Sequence, residues 1–80
     1  MEKKVKELED ILKHLKIIGN DYTIKPEMAF AVSMTELEAL SALEIAKNMN
    51  DATRVTAFNE AYYACKTYVK RILKIYRSES

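Results

Sequence analysis

The chain has 80 residues, with 13 Lys and Arg against 12 Asp and Glu, one His and a formal net charge of +1. That length holds one domain at most, and the small net charge argues against a general polyanion binder, which carries a larger basic excess. Cys65 is the one cysteine, so no internal disulfide forms, and no Cys/His spacing suits a structural zinc ion.

One Gly and one Pro, Gly19 and Pro26, leave few places to turn and favour long helices. The first helix is predicted over about residues 2–18. Val5, Leu8, Leu12 and Leu15 recur at spacings of three and four, and Ile11 and Ile18 widen the stripe. The opposite face is charged, and Glu9 and Lys13 have the favourable i,i+4 order. Gly19 is expected in the left-handed conformation that ends a helix. Asn20 and Asp21 continue the turn, with Tyr22 and Ile24 folding back on the core.

The second helix is predicted from Pro26 to about Asn48. Proline suits a first helical turn because that turn has no use for its missing N–H. Met28-Ala29-Phe30-Ala31-Val32 is apolar throughout, so its period does not separate helix from buried strand. Both Ser33-Met34-Thr35-Glu36 and Thr35-Glu36-Leu37-Glu38 match a capping box. The segment is therefore read as one long helix, with a kink or a restart near Ser33 left open. Met28, Ala31, Val32, Ala39, Ala42, Leu43, Ala46 and Met49 share one broad side. Leu37 and Leu40 project elsewhere, among Ser33, Glu44 and Lys47.

Asn48 to Asp51 is a polar break, with Asn50 or Asp51 suited to cap a third helix over about residues 52–77. Val55, Phe58, Tyr62, Cys65, Val69, Ile72 and Tyr76 follow alternating spacings of three and four, which is a heptad seam. Ala61, Tyr68 and Ile75 flank it at intervals of seven. Such a helix is about 38 Å long at ~1.5 Å per residue, longer than the first helix can cover. Part of the seam is expected against the second helix or another chain. Residues 78–80 read as a frayed tail.

The fold class that follows is all-α: a single domain over residues 1–80, an antiparallel three-helix hairpin or bundle. The hydrophobic content of 49% is high for so small a chain and favours a homo-oligomer, with the third-helix seam as its coiled-coil contact. No apolar run reaches the ~20 residues of a membrane span. The N-terminal stretch lacks a signal-peptide core, and a lone thiol suits a cytoplasmic location.

Catalytic sets are sparse. His14 shares a polar helix face with Asp10 and Glu7, a pattern that reads as a solvated charged face rather than a metal site. Cys65 lies on the apolar seam and reads as an inert small hydrophobe. No glycine-rich loop holds phosphate. The chain is expected not to be an enzyme and to use no cofactor or metal.

Charge is divided between helices. Residues 26–51 carry five acids and one lysine, a net of −4, and residues 52–77 carry six basic residues and Glu60, a net of +5. Two functions compete. The first is self-association and capture of a partner protein or peptide through Leu37, Leu40, Tyr62, Tyr68, Val69, Ile72 and Tyr76. The second is binding of a nucleotide or other small anion by Tyr63, Lys66, Lys70, Lys74 and Arg77, where tyrosine stacking would combine with phosphate neutralisation. The stretch from Glu60-Ala61-Tyr62-Tyr63 to Leu73-Lys74-Ile75-Tyr76 also resembles the last helix of microtubule-interacting and transport domains, which are three-helix peptide binders. The resemblance covers about a fifth of the chain. Tyr68 departs from it where a small residue is expected, and no binding residue is carried over.

Overall fold

A computed structural model describes residues 2–79 of the chain. Three helices pack against each other: α1 over Glu2–Gly19, α2 over Pro26–Ala46 and α3 over Ala52–Glu79. Consecutive helices run antiparallel, so α1 and α3 run parallel. Two side-chain bonds join them and a third reaches the turn after α1, all at a constant offset of 55 residues: Lys4 to Asn59, Tyr62 to Glu7, and Tyr76 to Asp21.

The turn after α1 corrects one expectation. Gly19 does not adopt a left-handed conformation. It stays in the helix, and the chain turns afterwards through Asp21, whose carboxylate accepts the Thr23 N–H at 2.9 Å and the Thr23 hydroxyl at 2.6 Å. An aspartate that bonds the backbone two residues on makes this turn without needing glycine. Tyr22 also departs from expectation: it is 96% exposed, and Ile24 alone of the two tucks against the core.

Helix α2 starts at Pro26, with Lys25 extended before it and no side-chain cap. It passes through Ser33 without interruption, so neither capping-box match opens a helix. Thr35 is buried, and its hydroxyl donates to the Ala31 carbonyl at 2.8 Å, which satisfies a polar group inside the core. The helix ends at Ala46, two residues earlier than expected, in a tightened turn where the Lys47 and Asn48 N–H groups reach the Glu44 and Ile45 carbonyls. Arg54 from α3 donates to the carbonyls of Ile45 and Asn48, supplying the positive charge that the last turn of α2 lacks.

Asp51 caps α3 by accepting the Arg54 N–H at 2.9 Å. At the other end α3 continues through Ser78 to Glu79 where the sequence suggests a tail, and the Ser78 hydroxyl donates to the Ile75 carbonyl. Ser80 lies outside the described residues.

The core has two layers. Leu8, Ala39, Ala42, Phe58, Tyr62 and Cys65 fill the end near the α2–α3 turn, and Leu15, Ile18, Met28, Val32, Val69 and Ile72 fill the other. Small residues on α2 face large ones on α1 and α3, which lets the helices approach closely. The heptad seam of α3 is thus consumed inside the chain from Phe58 to Ile72, while Val55 at its start stays exposed and Tyr76 at its end is half-buried. The Cα trace extends 42 × 16 × 16 Å, an elongated shape. No helix among the described residues is long and apolar enough to cross a membrane.

Candidate functional site

The arrangement of α1 on one side of the α2–α3 pair leaves the other side of that pair uncovered. Phe30, Met34 and Leu37 recur at i, i+4 and i+7 on α2, and Tyr68 and Ile75 recur at i and i+7 on α3. All five are exposed, Phe30 by 68% and Leu37 by 61%, and Leu40 continues the apolar surface one turn beyond Leu37. Between the helices runs a groove of about 410 Å³ walled by Phe30, Met34, Tyr68 and Ile75, with Met28 and Ile72 at its base. Lys25, Glu27 and Arg71 stand at its rim. A groove with apolar walls and a few charged groups at the edge suits the apolar stripe of a helix.

The structure separates the sequence-predicted partner set. Tyr68 walls this groove, and Leu37 and Leu40 are exposed on α2 outside it. Tyr62, Val69 and Ile72 are buried in the chain's own core, Ile72 reaching only the base of this groove and Val69 that of the α1–α3 groove. Tyr76 is half-buried and donates to Asp21 at 2.7 Å. The reason is geometric: the three-and-four seam faces α1 and α2, and the positions flanking it face out. Phe30, Met34 and Ile75 were not in the sequence-predicted set. For Phe30 and Met34 the signal was the i, i+4, i+7 spacing from Phe30 to Leu37, which the surrounding apolar run concealed, and for Ile75 it was the interval of seven from Tyr68.

The anion set is also divided. Lys66 is held by Glu7 at 3.4 Å and donates to the Tyr62 hydroxyl at 3.4 Å. Tyr62 donates in turn to Glu7 at 2.8 Å. The Tyr62 bond holds the Glu7 carboxyl below its usual range despite partial desolvation, with Lys66 assisting. Burial, then the bond to Glu7, pushes the Tyr62 hydroxyl up. The bond to Tyr62 and the charge of Glu7 push Lys66 up. Tyr63 lies edge-on to Tyr62, with centroids 5.0 Å apart, and the Lys4 ammonium sits 5.4 Å from its ring centre. Lys70, Lys74 and Arg77 line a shallow depression with Leu73 and Ser78. The neighbouring α1–α3 groove mixes Glu7 and Asp10 with His14, Lys66, Lys70 and Arg77, so its field has no single sign.

The remaining reactive groups are quiet. Cys65 is fully buried, and desolvation, helped by the charge of Glu38, pushes its thiol up to about 11. His14 is exposed, with its Nδ1 2.8 Å from the Asp10 carbonyl oxygen. Compared with known proteins, the chain matches no family model, no curated protein and no solved structure, so the resemblance of its last helix to a peptide-binding domain gains no support there.

Proposed function

We propose that this chain is a non-catalytic helical assembly protein that self-associates through the outer face of α2 and α3. The observation that carries the reading is the apolar groove walled by Phe30, Met34, Tyr68 and Ile75, with Leu37 and Leu40 exposed beyond it on α2. Area supports it. The chain exposes 5707 Å², against roughly 4,900 Å² for a compact chain of 9.2 kDa. The excess of about 800 Å² belongs to the elongated shape of the whole chain, and an area of that size is what one partner contributes to a standard interface. A buried, unreactive thiol suits a reducing compartment such as the cytoplasm, where a lone cysteine stays reduced.

Sedimentation equilibrium over a wide concentration range tests the proposal. The expected result is a reversible rise in mass above the 9.2 kDa monomer. A strict monomer at millimolar concentration would defeat it. If the outer face instead serves a different protein, the chain stays monomeric alone and self-association is refuted.

One observation favours a second reading, small-anion or nucleotide binding: the depression that gathers Lys70, Lys74 and Arg77. A thermal-shift titration with phosphate and nucleotides tests it, since a ligand that binds only the native form raises Tm. No shift at millimolar ligand would remove it.

A further inference from the structure

Resting on the self-association proposed above, we propose that two copies pair about a two-fold axis parallel to the helices, so that α2 of each copy lies on α3 of the other. A face-to-face pairing of two helix layers allows two symmetric arrangements. A two-fold axis across the helices sets α2 on α2 and α3 on α3. An axis along the helices sets α2 on the partner's α3. Both give antiparallel neighbours, so helix direction does not choose between them. Charge does.

Most of the cations of α3 do not face the groove: Lys66, Lys70 and Arg77 line the α1–α3 groove, and Arg54 bonds the carbonyls at the end of α2. The charged groups at the rim of the α2–α3 groove are Lys25, Glu27 and Arg71, so the choice rests on the one acid among them and the arginine on the opposite wall.

The groove identifies the pair of residues most affected. Glu27 and Arg71 stand on opposite walls of its rim, on α2 and α3. Among the described residues neither makes an ion pair or a side-chain hydrogen bond. Met28 and Ala31 of α2 face Ile72 and Ile75 of α3 across the groove, so Glu27 and Arg71 sit near the same end of the molecule. An axis along the helices preserves height. It therefore carries Glu27 of one copy over α3 of the other near Arg71, twice per dimer. An axis across the helices sends Glu27 toward the far end and separates the two charges.

A charge exchange in trans tests this. Arg71→Glu and Glu27→Arg are made in separate chains, each checked for intact helicity by circular dichroism. Alone, each variant opposes like charges at both contacts and is expected to associate at least about tenfold more weakly than the unmodified chain. Mixed one to one, they form a heterodimer with one native and one reversed pair. Its affinity is expected to return to within about threefold of the original. Sedimentation of the mixture, with one variant fluorescently labelled, reads the recovery. Two weak variants that do not rescue one another overturn the arrangement, and so do variants that each associate like the unmodified chain. In both cases self-association itself stands. An unmodified chain that is monomeric throughout defeats the underlying reading as well.

Discussion

Phe30 and Ile17 make a controlled comparison, because they are almost equally exposed, by 68% and 67%, and lie on different faces of the molecule. Phe30 walls the α2–α3 groove, and Ile17 lies on the outside of α1. Fully burying a large apolar side chain stabilises by about 1.5–3 kcal/mol. Two-thirds of that remains to be gained at Phe30 on association, and alanine would recover a small part. Phe30→Ala therefore costs about 1.5 kcal/mol per copy, and a two-fold interface counts it twice, for about 3 kcal/mol or roughly a hundredfold in Kd. Ile17→Ala removes a comparably exposed apolar side chain but nothing from the interface, so its Kd should stay within about twofold. Sedimentation equilibrium on both variants measures the difference. Thermal melts at concentrations where the chain is monomeric should give the two variants similar Tm. Equal Kd values would refute the assignment of the face. A drop in monomer Tm confined to Phe30→Ala would show that Phe30 supports the fold rather than the interface.

Gly19→Ala should stabilise the chain by about 0.5–1 kcal/mol, because Gly19 has helical dihedrals and an added Cβ would meet Val32 at an ordinary 3.4 Å. That is a rise in Tm of about 2–8 °C for a domain of this size, and a fall would restore the left-handed cap. The Cys65 thiol should resist a thiol-reactive disulfide reagent at pH 8 in the native state and react once denatured, as burial holds its ionisation near 11. Glu7 and Asp21 have folded-state carboxyls held low, Glu7 by the Tyr62 bond and Asp21 by Thr23 and then Tyr76. Their contribution is complete above the ordinary values of 4.5 and 3.8 and is lost as pH falls through the lowered ones. Tyr62→Phe or Tyr76→Phe should therefore move acid unfolding to higher pH, and an unchanged acid midpoint would contradict these bonds. The partners' hydroxyls are raised above 10.0, Tyr62 by burial and Tyr76 by Asp21. Their stabilisation is full below that value and fades as pH rises through the raised ones, so ultraviolet titration should show two of the five tyrosines ionising late.

Local chemistry made much of this fold legible. Leu8 and Leu15 are buried where the three-and-four spacing of the first helix puts them, and Asp51 caps the third helix as a short acceptor before a helical run should. Met28, Val32, Ala39 and Ala42 form the buried side of the second helix, as their shared face implied. These features depend on period and on neighbours in sequence, so the chain specifies them before it folds.

The candidate site was legible only in part, because a stripe shows that a surface must be covered and does not say by what. The seam through Tyr62, Val69 and Ile72 has the spacing of a contact between chains, yet the chain's own α1 and α2 cover it. With that face occupied, exposure falls to residues beside the seam, Tyr68 and Ile75, and across the groove to Phe30 and Met34. Likewise Lys66 reads as a free cation in sequence and is held by Glu7, 59 positions earlier. Period and composition were enough for three helices and for the opposite charges of the second and third, while the turn after the first helix was misplaced at Gly19. Which apolar face remains bare depends on which helix arrives beside it, and that is set by packing over the whole chain rather than by any local period.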